Sequence, residues 1–429
     1  MQGGRQQHIV IVGAGLAGLR CAGELRRAGF ACEIVEASDA AGGRVATDSH
    51  EGFLLDRGFQ VFLTAYPEAR AALDYDRLSL RPFYAGALVR AGNRFHRLAD
   101  PFRHPLDALG AVLSPVGTLG DKLRVARLRG RVARGPADAL LAREETTTAG
   151  ALRRAGFSGS IVEHFFRPFF AGVFLERELT TSSRMFEFTF RMFAEGDATL
   201  PAAGMAAIPA QLAAALPAGT IRLRAPVAAV EPGAVTLVSG ERLRADAVVV
   251  ATDGETAARL LGRRAAPAGR PAACLYFAAD EPPVSEPILI LDGDGRGPVN
   301  NLCVPSAVAP AYAPPGASLV SASVLAAHAG ASDAQLEEAV REQLAGWFGP
   351  QVRRWRHLRT YRIKHALPSQ LRVEPCTREA TRAASARGVY VCGDYLDTAS
   401  INGALRAGRL AAESLIEDAA SAVRGARAA

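Results

Sequence analysis

His8-Ile9-Val10-Ile11-Val12-Gly13-Ala14-Gly15-Leu16-Ala17-Gly18 is the stretch that decides the fold. His8 to Val12 reads as a short apolar strand, and Gly13 to Gly18 as the turn that leaves it. Helical spacing follows from Leu19 to Ala28 and stops at Gly29; Cys32 to Val35 is a second strand, ended by Glu36. Strand, glycine turn, helix and strand make the start of a βαβ unit. In Gly13-x-Gly15-x-x-Gly18 the first glycine allows a tight turn, the second lets backbone approach a pyrophosphate, and the third lets helix and strand pack closely. The helix N-terminus adds free N–H groups and a partial positive charge for phosphates. Glu36 lies 18 residues beyond Gly18, where a carboxylate accepts hydrogen bonds from an adenosine ribose. The pattern predicts a dinucleotide site but does not separate a nicotinamide from a flavin.

Further motifs lie outward from this start. Gly42-Gly43-Arg44 and Asp56-Arg57-Gly58 follow Glu36 closely. Pro226-Val227 opens a β-meander with strands at Val227 to Val230, Ala234 to Val238 and Arg242 to Arg244, then a strand at Ala247 to Ala251. Near the end come Gly393-Asp394, Ile401-Asn402-Gly403-Ala404 and Gly408-Arg409-Leu410-Ala411-Ala412, on a strand, a turn and a long helix. Together with Val248-Val249-Val250-Ala251-Thr252, Pro168 to Phe174, and Leu200-Pro201 to Met205, these stretches resemble the flavin-containing amine oxidase superfamily. That superfamily includes amine oxidases, protoporphyrinogen oxidase and phytoene-type desaturases. One departure stands at Ala203-Gly204-Met205, where the family usually carries two glycines before the methionine.

The resemblance implies an FAD-dependent oxidoreductase. It places Arg44 by the phosphates and flavin, the backbone of Val227 at the adenine, and Asp394 on a ribityl hydroxyl. It extends the cofactor contacts to Gly13, Ala14, Gly15, Ala17, Gly18, Glu36, Ala37, Gly43, Gly58, Phe59, Gln60, Gly393 and Ile401. The expected fold is α/β, a Rossmann-like FAD-binding domain interleaved with a mixed α+β substrate domain. The FAD domain takes residues 1–65, 217–265 and 376–429; the substrate domain takes 66–216, read as mainly helical, and 266–375, with a helix at Asp333 to Phe348.

The candidate chemistry is removal of a hydride from a C–H bond to the flavin. Amine oxidases usually carry a lysine near flavin N5, and the matching stretch here, Pro271 to Phe277, contains none. This favours desaturase- or porphyrinogen-oxidase-like chemistry on an apolar or weakly polar substrate. An amine or amino-acid oxidase and a redox-neutral flavin-dependent isomerase are the alternatives. Lys364 is the one candidate catalytic side chain, with a solvated lysine beside a strand as the competing reading. Phe165, Phe166, Phe169, Phe170, Phe186, Phe188, Phe190 and Phe193 are read either as a substrate cavity or as plain core, the second explaining most of them. The sequence does not name the electron acceptor; dioxygen and a quinone are two candidates.

The remaining composition mostly excludes. The chain has 429 residues, long enough for two domains. Its net charge of +7 carries no basic-aromatic module of a nucleic-acid binder. None of the six cysteines forms a CxxC pair, so neither a zinc site nor a redox dithiol is expected. Gly293-Asp294-Gly295-Arg296-Gly297 has no helix signal after it, so no second dinucleotide domain for NAD(P)H is expected. Ile9 to Val12 runs into a glycine turn rather than a cleavage site, and no apolar run reaches the length of a membrane span. A cytoplasmic protein is expected. Peripheral membrane contact through 106–134 competes with a solvated helix face there: Leu106 to Leu119 is apolar, and Lys122 to Arg134 holds six basic residues in thirteen.

Overall fold

The computed structural model describes residues 7–110, 116–263, 268–325, 331–383 and 388–428. Part of the apolar stretch Leu106 to Leu119, residues 111–115, lies outside the described residues.

The βαβ start is present. The strand His8–Val12 pairs in parallel with Ala31–Val35 on one side and Ala247–Val250 on the other. Ile221–Arg222 and Val389–Val391 complete a five-stranded parallel sheet. Numbered along the chain, its spatial order is 3-2-1-4-5, the Rossmann order, with the switch point at the end of His8–Val12 where ligands bind. Buried Ile9, Val10, Ile11, Val248, Val249 and Val250 make a near-continuous apolar run, as a sheet covered on both faces requires. The first helix spans Leu16–Arg27, three residues earlier than its spacing predicts, because Gly15 serves as N-cap and the glycine turn is already helical by Leu16. The meander Val227–Glu231, Ala234–Leu237 and Arg242–Arg244 is antiparallel and packs Val235 and Leu237 on the sheet face formed by Val10, Val12, Val248 and Val250. The closing helix Ile401–Ala428 lies against the first, and a Cβ on Gly408 would overlap the Ala17 carbonyl.

A second sheet of seven strands runs Arg356–Pro368, Gly269–Ala279, Ser318–Leu325, Val299–Cys303, Leu289–Asp292, Gly86–Ala91, Arg94–Ala99. Its first five strands come from the 266–375 segment and its last two from 66–216. Reading 66–216 as mainly helical therefore missed a hairpin. Gly92 and Asn93, both at positive φ (56° and 62°), make the two-residue turn between Gly86–Ala91 and Arg94–Ala99. The helix Asp333–Phe348 covers one face of the sheet through Leu336, Val340 and Leu344, as expected. The opposite face presents Cys274, Tyr276 and Cys303 to the large core shared with the FAD-type sheet. A π-helical turn, Val162–Phe166, leads into the helix Arg167–Phe174, and the helix Ser183–Glu195 follows. The helix Ala207–Ala214 packs on Leu16–Arg27, so the first unit resumes slightly before residue 217.

Candidate functional site

The strand end at Val12 and the turn after it build the first wall of the site. Gly13 sits at φ +106°, and a Cβ there would stand 2.8 Å from the Ala251 carbonyl oxygen. A Cβ on Gly18 would overlap the Gly13 carbonyl, so helix and strand touch backbone to backbone. Gly15 is the opposite case. It has an ordinary φ of −70°, a Cβ added to it would meet nothing within 4 Å, and no side chain caps the helix behind it. An uncapped helix N-terminus with open space over its glycine is an anion cradle. Gly43, at φ +60°, would bring a Cβ to 3.5 Å from the Gly15 Cα and closes the cradle's far side; the Gly42 N–H donates to the Ala14 carbonyl at 2.9 Å.

Glu36 ends the second strand with its carboxylate buried beside this turn. It accepts the Ala14 N–H at 2.7 Å and the Ser38 N–H at 2.8 Å, with Ala37 exposed between. Ala225 N–H donates to the Glu36 carbonyl and Arg224 N–H to that of Ser38, which brings Val227 to the Glu36 end of the site. Ala17 is buried in the helix crossing with Gly408, so its backbone contributes to the turn while its side chain packs.

Arg44 and Asp394 meet across 350 residues. Arg44 Nη2 donates to Asp394 Oδ1 at 2.6 Å and Nη1 to the Ala366 carbonyl at 3.2 Å. The Asp394 carboxylate beside it raises the already high pKa of the guanidinium. Gln60 Nε2 donates to the Arg44 carbonyl at 2.8 Å, so the Gly58–Gln60 loop holds the arginine's backbone. Phe59 turns its ring edge-on to Phe83. Gly393 packs on the Tyr395 ring. Ser400 caps the last helix, its Oγ accepting the Gly403 N–H at 3.1 Å, which leaves the first N–H groups at Ile401 and Asn402 pointing out of the helix end. The Ala14–Glu36, Arg44–Asp394 and Gln60–Arg44 hydrogen bonds thus gather cofactor candidates from the two ends of the chain at one end of the first sheet. Lys364 differs: it is exposed, in the bulge between the Ala272–Ile363 and Arg270–Leu367 pairings.

Two groups of residues escaped the sequence reading. The first is a hub on Asp56. Its Oδ1 accepts the Thr47 hydroxyl (2.6 Å) and the Met205 N–H (3.0 Å), its Oδ2 the Tyr312 hydroxyl (2.8 Å), and its carbonyl the Tyr276 hydroxyl (2.9 Å). Burial pushes the Asp56 carboxyl up to about 6, against the pull of these hydrogen bonds. Asp56-Arg57-Gly58 was visible as a motif, but tyrosines 220 and 256 residues away were not. The second is a narrow crevice, too tight to admit a water molecule, lined by Phe174, Thr181, Met185, Leu367, Pro368, Gln370 and Ala399. Most of the phenylalanine cluster is core: Phe166, Phe170, Phe186 and Phe188 are fully buried and stack on one another or on neighbouring rings. Phe174, at the end of its helix, is the ring that reaches the crevice.

The open cradle at Gly15, the uncapped first helix, the buried acid at its ribose end and the helix end at Ile401 fit an elongated dinucleotide. They define a flavin-type oxidoreductase site spread over three chain segments. The family description flavin containing amine oxidoreductase matches residues 16–416, and the chain belongs to that family. It is an enzyme, and its cofactor is FAD. Coproporphyrinogen III oxidase of Propionibacterium freudenreichii subsp. freudenreichii is 33% identical over 107 residues, 25% of this chain and 20% of that protein, so the match spans about a fifth of the relative's length. An oxidoreductase of Methanosarcina mazei shares the fold with a TM-score of 0.71 at 18% identity, covering 96% of this chain and 100% of that one. Cyclohexylamine oxidase of Brevibacterium oxydans IH-35A does so with a TM-score of 0.65 at 18% identity, covering 96% and 99%.

Proposed function

We propose that this oxidoreductase dehydrogenates a C–C or ring C–H bond of an apolar or weakly polar molecule. Bound FAD supplies the hydride acceptor, its flavin ring. The chain's residues do the rest. The cradle at Gly13, Gly15 and Gly43 and the first helix end hold the pyrophosphate, and Glu36 takes the ribose. Arg44, fixed by Gln60 and by Asp394, balances phosphate charge, and Asp394 offers its second oxygen to the ribityl chain. The N–H groups of Ile401 and Asn402 at the helix end would favour negative charge on the flavin.

The observation that carries the substrate class is the lining of the crevice beside Leu367 and Pro368. Phe174, Met185, Leu367, Pro368 and Ala399 give it apolar walls, and its polar members, Thr181 and Gln370, are neutral. No carboxylate among the described residues lines it to attract an ammonium group. The adjoining strand Gly269–Ala279 turns Cys274 and Tyr276, not a lysine, toward the shared core. Such walls keep water out, and a substrate entering between them would have to part them and be selected by shape. Dioxygen and a quinone are candidate acceptors for the electrons.

Anaerobic mixing of the FAD-loaded enzyme with a panel of porphyrinogens, isoprenoids, primary amines and amino acids tests this reading. Flavin bleaching by a porphyrinogen or an isoprenoid, without bleaching by amines, is expected. Rapid bleaching by a common amine alone would assign the crevice to amine oxidation instead.

A further inference from the structure

We propose that the face formed by residues 102–106 and the helix Leu119–Val132 docks this enzyme on an anionic lipid bilayer. Among the described residues eight large hydrophobic side chains are exposed, and four of them fall in this short stretch: Phe102 (58%), Leu106 (82%), Leu119 (62%) and Leu123 (64%). The other four, Leu223, Val238, Leu371 and Val423, are scattered singly, which is ordinary for a surface. A local cluster calls for a partner.

The stretch is held together as one surface. Arg129 lies over the Phe102 ring at 4.4 Å and donates to Asp100 (2.8 Å) and to the Ala194 carbonyl (2.7 Å). Arg103 donates to the Gly196 carbonyl (2.7 Å), so both pieces are anchored on the end of the helix Ser183–Glu195. A capping box between Thr118 and Asp121 fixes where the basic helix begins. Its buried face is Asp121, Leu128 and Val132. Leu119, Leu123 and Arg127 then follow at four-residue spacing along the exposed face, and Arg134 extends it beyond the helix end.

Charge chooses the occupant. Arg124 pairs with Asp121, Arg129 with Asp100 and Arg131 with Glu187, and the Asp107 carboxylate accepts the Tyr84 hydroxyl. Arg127 and Arg134 are exposed and have no carboxylate within ion-pair distance among the described residues. An apolar stripe continued by unpaired arginines is the pattern of a helix lying in a lipid interface, leucines in the acyl boundary and arginines at anionic headgroups. No helix among the described residues is long and apolar enough to cross a membrane, so the contact is peripheral. The face also lies one helix away from the crevice, since Leu119–Val132 packs on Ser183–Glu195, which carries Met185.

Co-sedimentation of the FAD-loaded protein with extruded phosphatidylcholine vesicles, with and without phosphatidylglycerol, tests the proposal. Binding is expected to the phosphatidylglycerol vesicles and to fall as salt rises. Each arginine near an anionic surface contributes about a five-fold gain, so R127E/R134E lowers partitioning by at least ~10-fold. L106E/L123E lowers it similarly with the fold intact, as checked by circular dichroism and flavin content. Equal or absent binding to both vesicle types, or binding unchanged by both double variants, would overturn the proposal. So would a concentration-dependent dimer in sedimentation velocity that L106E/L123E abolishes, which would give the face to a second copy.

Discussion

Glu36 and Asp56 are both buried acids, and they differ in what their carboxylates hold. Glu36 is satisfied by two N–H groups and stands at an open ligand path. Replacing it with alanine removes a charge-assisted hydrogen bond worth ~1.5–3 kcal/mol, so E36A should bind FAD about 10- to 100-fold more weakly, measured by fluorescence titration of deflavinated protein. Unchanged affinity would remove Glu36 from the ribose contact. Asp56 is held at about 6, above its unfolded value. Its contribution to stability is therefore complete below the unfolded pKa and is lost as pH rises through about 6. Near neutral pH the ionised form costs on the order of 3 kcal/mol. D56N keeps an acceptor for Thr47 and Met205, and its amide donates to the Tyr312 oxygen as that hydroxyl reorients. The melting temperature of the wild type should fall between about pH 4 and pH 6.5, and D56N should lose part of that fall. The remainder belongs partly to Asp292, which burial also lifts to about 6. Parallel pH profiles for the two proteins would contradict this.

At the scale of elements, the glycines of the first turn separate folding from binding. Gly15 has a backbone angle that alanine adopts freely and an empty side; Gly18 has no room for a methyl group. G15A should therefore melt like the wild type when both are deflavinated, yet bind FAD much more weakly because the methyl group enters the pyrophosphate cradle. G18A should lose stability with or without FAD. Equal melting of G18A and wild type would show that the helix and strand are not in backbone contact. This distinction was legible in sequence, because each glycine's task follows from its place in a strand-turn-helix. The hairpin at Gly86–Ala99 was legible too, from Gly92-Asn93 between apolar runs, but helix-like stretches around it masked the signal. The Asp56 hub was not legible. Tyr276 and Tyr312 look like ordinary core aromatics until the second sheet folds them against the strand Phe53–Asp56. The phenylalanine cluster was read mostly as core, and helical spacing does bury most of its rings, while Phe174, outside that set, reaches the crevice.

For the whole molecule, three distant chain segments converge on one path because the parallel sheet orders its strands 3-2-1-4-5 and brings Val12, Glu36, Thr252 and Gly393 to the same edge. Among the described residues the second sheet has no second glycine turn followed by a helix. Gly293 to Gly297 is a loop between the antiparallel strands Leu289–Asp292 and Val299–Cys303, with no helix behind it to bind phosphate. NADH or NADPH in a stopped-flow mixer should therefore leave the flavin oxidised over seconds, and bleaching on that scale would reveal a nicotinamide site. The central claim, that the path from Glu36 to Ile401 holds FAD along its length, is tested most directly by calorimetric titration of deflavinated protein with FAD and, separately, with FMN. One FAD per chain is expected, with FMN at least ~10-fold weaker because it lacks the adenosine that Glu36 anchors. No binding of FAD, or FMN binding as tightly as FAD, would contradict the account.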